Sequence, residues 1–259
     1  MRRCQLLEFE DLDWFPRAIR DGGTACLRAL GKAGGMGRFM APPLAEALRK
    51  TGQRRLIDLC SGGAGPLPEV LAALAEAGLD VQATLTDKFP NIPALSLAAA
   101  ECAGRVDFAE GSVDATDVPA ELTGFRTLFN AFHHFPPELA RGILADAVRK
   151  QVPIAVFEVV GRSPEAVAAV LLSPLMALLL MPTIQPQRPE WWFFTYLVPL
   201  IPAMLLWDGL VSCLRVYSPD ELRELIAGIE ANESFDWSID SVVMSPLPLR
   251  STILIGSPR

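Results

Sequence analysis

Charge and paired cysteine are what this chain has least of, and each shortage removes a class of protein. Only 20% of the 259 residues are charged, and acids outnumber bases enough to leave a formal net charge of −7. Such a surface does not gather polyanions, so a nucleic-acid substrate is not expected. The five cysteines, Cys4, Cys26, Cys60, Cys102 and Cys213, form no CxxC pair and no His/Cys group at zinc spacing. A disulfide framework and a metal site are therefore not expected, and the reducing cytoplasm is the expected compartment. Residues 1–20 hold Glu8, Glu10, Asp11 and Asp13 among their apolar positions, so they lack the apolar core of an export signal. Histidine is nearly missing: His133 and His134 are the only two. Unbroken apolar runs are short as well. The stretches 166–181 and 191–207 are almost free of charge, yet Pro174, Pro182, Pro199 and Pro202 interrupt or bound them. Each is shorter than the roughly 20 residues of a straight bilayer span.

What the chain does have is apolar residues, 51% of the total, arranged in alternating strand and helix patterns. Strand Leu56–Leu59 is followed by helix Pro68–Ala77, strand Val81–Thr86, helix Ile92–Ala103 and strand Val106–Ala109. Then come strand Thr127–Ala131, helix Pro137–Lys150 and strand Ile154–Val160. This order predicts an α/β fold with a doubly wound, mostly parallel sheet. Helix Ser218–Ile229 and strands Phe235–Met244 and Ser251–Ile255 add a C-terminal hairpin, expected to be antiparallel. Four regions follow: an N-terminal helical cap (1–53), the core (54–161), an apolar helical insertion (162–216) and a C-terminal helix and strands completing the core (217–259). Within the cap, Asp13–Leu30 has helical spacing, GKAGGMG breaks it, and Pro42 and Pro43 are expected to open a second helix. The insertion reads either as a lid over an acceptor or as a segment touching a membrane through 166–207.

The core is organised around RRLIDLCSGGAGP, Arg54 to Pro66, in which a short buried strand runs into a glycine-rich turn and then a helix. Glycines let the backbone approach a ligand, and the following helix offers unpaired N–H groups. Asp87 ends the second strand, where a carboxylate accepts hydrogen bonds from the two hydroxyls of a ribose. Glu158 lies at the carboxyl half of the fifth strand, where ligands collect in such sheets; it either lines an acceptor pocket or pairs with an arginine such as Arg162.

IDLCSGGAGP resembles the first motif of the class I S-adenosylmethionine-dependent methyltransferases, with Cys60 and Ala64 standing where that family often has glycine. The resemblance extends over roughly 54–160 and more loosely over the final hairpin. It implies S-adenosylmethionine as cofactor, held by Asp58, Cys60, Gly62, Gly63, Gly65, Asp87, Lys88, Ser112, Asp114, Ala115 and Asn130. GSVDAT looks like the segment that meets the adenine, with Asp117 as an alternative reader to Asp114. LFNAFHHFPP is similar to the strand-end segment that faces the sulfonium, which makes His133 and His134 the catalytic candidates. Either one is a general base near neutral pH, or one packs or hydrogen-bonds at the strand end and the other faces solvent while transfer relies on proximity. The implied reaction is in-line methyl transfer to a small apolar or lipid-like acceptor, with Trp14, Phe15, Glu158, Trp191 and Trp192 expected around it. The competing classes are a nicotinamide-dependent oxidoreductase, disfavoured by the lack of a clean GxGxxG and of a Tyr-x-x-x-Lys pair, and a non-catalytic membrane-associated protein. The acceptor's identity and the oligomeric state are not encoded in these patterns.

Overall fold

The computed structural model describes residues 3–244 and 249–259. Two helices come first, α1 (Arg17–Ala33) and α2 (Met36–Thr51). Pro16 precedes α1 with φ −61, so the helix starts at Arg17 and not at Asp13. The expected break at GKAGGMG contracts to Gly34 and Gly35. The left-handed φ of +66 at Gly35 redirects the chain into α2, which therefore begins six residues before Pro42. Pro42 and Pro43 lie inside this helix and do not open it; each lacks the N–H that would bond to the preceding turn.

The core alternates as its pattern predicts: β1 (Arg55–Asp58), α3 (Leu67–Glu76), β2 (Gln82–Leu85), α4 (Ile92–Glu101), β3 (Val106–Phe108), β4 (Phe125–Phe129), α5 (Pro137–Arg149) and β5 (Ile154–Glu158). The insertion contributes α6 (Pro164–Leu171), α7 (Ser173–Leu180), α8 (Pro189–Trp192) continued by a π-helical turn at Phe193–Leu197, and α9 (Leu200–Arg215). Helix α10 (Pro219–Ala227) and strands β6 (Phe235–Met244) and β7 (Leu249–Pro258) follow. Ser218 and Glu221 close a reciprocal capping box at the start of α10.

The seven strands are ordered β3-β2-β1-β4-β5-β7-β6. The first five are parallel, and β7 pairs antiparallel with both β5 and β6. An antiparallel strand between β5 and β6 departs from the all-parallel 3-2-1-4-5-6 order of dinucleotide-binding sheets. Strands β4 and β5 are buried along their whole length, since helices cover both faces of the sheet. One core lies under α2, α3 and α4, with Leu44, Leu71 and Leu95 buried against Leu56 and Phe157. The other lies under α5 and α10, where Ile143, Leu144 and Leu225 pack on Ile57 and Leu128. A third cluster sits outside the sheet, where α1 meets the insertion through Ile19, Cys26, Ala177, Trp191, Ile201 and Met204. Gly22 and Gly23 make that approach close: a Cβ at Gly22 would stand 2.5 Å from Ile201, and one at Gly23 would stand 2.1 Å from Met204.

Among the described residues no single helix is long and apolar enough to cross a membrane. Two helix pairs pass that test only when taken together, 164–171 with 173–183, bent by 41°, and 189–197 with 200–215, bent by 75°.

Candidate active site

At the carboxyl end of β1 the backbone alternates hand. Cys60, Gly62, Ala64 and Gly65 have φ of +57, +51, +70 and +45. Left-handed φ costs an L-residue about 1–2 kcal/mol, so positions 60 and 64 take the conformation for which glycine is the easier choice. Such alternation turns successive N–H groups toward one concavity. A Cβ added at Gly62 or Gly65 would meet nothing within 4 Å, so space lies open beside the turn, whereas Gly63 backs onto Thr24 of α1. This is the shape a ligand-binding cradle requires.

Asp58, expected to touch a cofactor, is instead a buried brace. Its Oδ2 accepts from the Ser61 hydroxyl at 2.7 Å and its Oδ1 from Thr127 at 2.8 Å. Burial raises its pKa to about 7, against the opposing effect of those two hydroxyls. The carboxylate thereby locks the turn to β1 and β4 and leaves the ligand side to backbone.

At the end of β2, Asp87 accepts from the Gly62 N–H at 2.9 Å and from the Phe89 N–H at 2.8 Å. One bond to each oxygen leaves lone pairs for further donors. Lys88 lies 2.8 Å from Asp114, which also accepts from the Thr116 N–H and hydroxyl at 2.9 and 2.7 Å. Lys88 first and Thr116 second hold the Asp114 pKa down to about 2. Both Asp114 oxygens are thus engaged within the protein, Oδ1 twice and Oδ2 once, so a base would meet it through the one lone pair left on Oδ2. Asp117 points away, to Lys150 at 2.8 Å. Ser112 donates to the Lys88 carbonyl at 2.7 Å, and Ala115 is buried against the α5 side of the core.

Beyond β4 the left-handed Asn130, φ +52, ends the strand earlier than its sequence suggests. Its Oδ1 accepts from Val159 at 2.8 Å, and its amide reaches Met36 Sδ at 3.3 Å. The next turn separates the two histidines electrostatically, although their rings are 4.3 Å apart. His133 is buried, and Glu158 accepts its backbone N–H at 3.0 Å and meets its Nδ1 at 2.7 Å. Glu158 therefore pairs with histidine and not with Arg162, which bonds Glu221. His134 faces acids: Asp11 at 3.0 Å, Glu8 at 3.3 Å and Glu10 at 3.4 Å. Burial opposes its charged form, but the hydrogen bond to Asp11 and the charges of Glu10 and Glu8 outweigh it and raise its pKa to about 9. Holding a proton this firmly makes it a weaker candidate for base work than His133.

Sequence reasoning missed the remainder of this cluster. Arg215 Nη1 lies 2.7 Å from Asp11 and 3.2 Å from the fully buried Glu8. Asp208, an acid within an apolar helix, accepts the N–H groups of Phe9 and Glu10 at 2.7 and 3.2 Å. Its burial, partly offset by the Phe9 N–H, raises its pKa to about 7. Glu8, His133 and His134 bring ligand-type atoms within 4.8 Å of one another. Arg215 supplies a positive charge there, 3.3 Å from His134 Nδ1, while the buried Oε2 of Glu8 has no hydrogen-bond partner among the described residues.

The aromatic expectations divide. Trp14 is 72% exposed, Phe15 stacks on Phe9 at 5.5 Å, and Trp192 also faces solvent. Trp191 is buried on the α1 side of the insertion, filling the space left by Gly22. Thr24, which meets Gly63, is two residues further along α1, so Trp191 packs on the far side of that helix from the cradle. A cleft of about 240 Å³ does adjoin the Asp87 loop, lined by Arg17, Asp21, Pro90, Asn91, Ile92, Pro93 and Arg188. A larger one of about 490 Å³ lies against β6, lined in part by Arg223, Asn232 and Trp237, away from every strand end described above.

No family model and no curated protein matches the chain. Solved structures do. The plantazolicin methyltransferase BpumL, in complex with SAH, aligns at TM-score 0.57 and 12% identity over 96% of this chain and 93% of that one. The mitomycin 7-O-methyltransferase MmcR aligns at TM-score 0.50 and 14% identity over 89% of this chain and 54% of that one. The chain thus spans nearly all of BpumL but about half the length of MmcR. Identities this low establish a shared fold, that of the class I methyltransferases, and leave the activity to the site.

Proposed function

We propose, on the premise of this class I methyltransferase fold, that the chain moves the methyl group of S-adenosylmethionine onto a small-molecule acceptor. The observation that carries the reading is the bond from the Gly62 N–H to Asp87, which joins the left-handed turn after β1 to the acid after β2. An open concavity of N–H groups beside a carboxylate with spare lone pairs fits an amino acid attached to a nucleoside. When bound, S-adenosylmethionine supplies an electrophilic methyl group on a sulfonium. The protein's own part is to hold, align and shield. In this reading the 62–65 turn takes the amino-acid portion, Asp87 the ribose, the backbone of 112–115 the adenine, and Asn130 stands at the reacting end.

His133 is the candidate base. Glu158 holds its Nδ1, so Nε2 is the nitrogen left to take a proton from an acceptor hydroxyl or amine. The acceptor reaches the site through the cleft between α1, the 90–93 loop and α8. Its rim of Arg17, Asp21, Asn91 and Arg188 suits a polar end, and Pro90, Ile92 and Pro93 beside them suit an apolar or lipid-like body.

Calorimetric titration of the purified chain with S-adenosylmethionine, and separately with NADH, tests the proposal. Saturable binding of the first and none of the second is expected; the reverse would give the site to a nicotinamide enzyme.

A further inference from the structure

We propose that the outer face of residues 171–207 docks into the hydrocarbon of one membrane leaflet and holds the protein on a lipid surface. The insertion has two sides. Its inner side is spent on α1, where Ala177, Trp191, Ile201 and Met204 are buried. Its outer side is also apolar and uncovered among the described residues: Leu172, Leu175, Leu179, Phe193, Leu197 and Trp207 are between 44% and 73% exposed. Leu175 and Leu179, at i and i+4, share one face of α7, and Leu172 stands at the bend just before it. The Tyr196 hydroxyl donates to the Leu178 carbonyl at 2.5 Å and ties the π-helical turn to α7, so the two exposed stretches are neighbours. Monomeric soluble proteins rarely leave such a patch uncovered.

The charge pattern selects the occupant. Between 166 and 207 the only charged residues are Arg188 and Glu190, of opposite sign, so the face complements an uncharged medium and needs no anionic lipid. A protein partner of ordinary composition is met with about one hydrogen bond per 100–200 Å². Here the polar atoms of the two exposed tryptophans are already paired within the chain: Trp192 Nε1 donates to Gln187 at 2.5 Å and Trp207 Nε1 to the Leu7 carbonyl at 3.0 Å. The segment is largely helical, the form in which backbone groups enter hydrocarbon already paired. Its two bent helix pairs, at 41° and 75°, suit a segment that enters one leaflet and returns.

Flotation of the purified full chain with vesicles of pure phosphatidylcholine, and of phosphatidylcholine mixed with phosphatidylglycerol, tests this. Wild-type protein is expected to float equally with both. The double variant Leu172→Asp/Leu197→Asp is expected to lose at least about tenfold in partitioning, with S-adenosylhomocysteine affinity and circular dichroism unchanged. Should the variant fold poorly, quenching of wild-type tryptophan fluorescence by brominated phosphatidylcholine gives the same answer without substitution. Three results would each overturn the proposal: wild-type protein that stays with the lipid-free fraction, flotation that requires phosphatidylglycerol, or a lipid-free dimer that the double variant dissolves, which would make the face a contact between copies. Cofactor affinity is read separately, so failure here leaves the methyl-transfer reading standing.

Discussion

The carboxyl edge of the sheet and the helical insertion leave different things unpaired. At the sheet edge, polar groups gather from β1, β2, β4 and β5, and each is tied by short bonds except on the side that faces the cradle. On the outer side of the insertion, apolar side chains are left over. Unspent capacity is where a ligand is expected, and its chemistry differs: hydrogen-bond donors and acceptors over the Gly62–Gly65 turn, bare hydrocarbon over α7 and Phe193–Leu197. Between the two stands the ionic network of Glu8, Asp11, His134, Asp208 and Arg215, which straps residues 3–15 across α9 and the histidine turn.

That network gives the largest expected effect. Arg215→Met leaves the buried Glu8 without its fixed cation and takes the same cation from the partly exposed Asp11–His134 pair, and removing one partner of a buried pair such as Arg215–Glu8 costs about 3–5 kcal/mol. Urea unfolding should show that loss; one within error of zero would mean that the two regions are joined by apolar packing alone.

Next is the split between the histidines. His133→Gln should lower turnover of an accepted acceptor by about 10²-fold with cofactor affinity unchanged. Glu158→Gln should lower it less and shift the pH profile, since Glu158 acts through His133. His134→Gln should leave turnover within a few-fold. Equal effects from the two histidines in a kcat series would contradict their assignment to separate roles.

Asp87→Ala sharpens the cradle side. Losing a charge-assisted acceptor costs about 1.5–3 kcal/mol, roughly ten- to a hundredfold in S-adenosylhomocysteine affinity. Flotation of this variant should match wild type, because the two surfaces are separate.

The smallest effect is on pH dependence. The folded-state pKa of His134 is raised from 6.5 to about 9, so its contribution is fully present below pH 6.5 and is lost as pH rises through 9. Asp208, raised from 3.8 to about 7, acts in the same direction and loses its contribution as pH rises through 7. Asp11, lowered from 3.8 to about 2, does the opposite and is lost only as pH falls through 2. Melting temperature should therefore decline between pH 6.5 and 9, and His134→Gln should make that decline shallower. A variant with the same slope as wild type would mean that His134 is uncharged.

Much of the sheet was legible because its signals are local. Alternating apolar runs marked the strands and helices in turn, and the glycine turn marked the loop after β1, in which Cys60 and Ala64, standing where the resembling family often has glycine, adopt a left-handed backbone. Asn130 stopped β4 early by turning left-handed, a property of one residue that strand periodicity does not carry. The ionic network was illegible because its members are far apart: Arg215 bonds the Leu6 carbonyl 209 positions away. The acids of residues 8–13 spoke against an export signal, and nothing in their spacing pointed to a histidine. The placing of Trp14 in solvent and of Trp191 against Gly22 was hidden for a related reason. An aromatic side chain records that apolar area is available, but the partner helix decides which way it faces, and Gly22 drew Trp191 to the far side of α1.

The central claim is that the Gly62–Asp87 cradle is a nucleoside site of the methyltransferase kind. A crystal soaked with S-adenosylhomocysteine tests it most directly. The account predicts density along the carboxyl ends of β1, β2 and β4, with both ribose hydroxyls on Asp87 and the sulfur toward Asn130 and the histidine turn. Density elsewhere, or an empty cradle at saturating ligand, would contradict it.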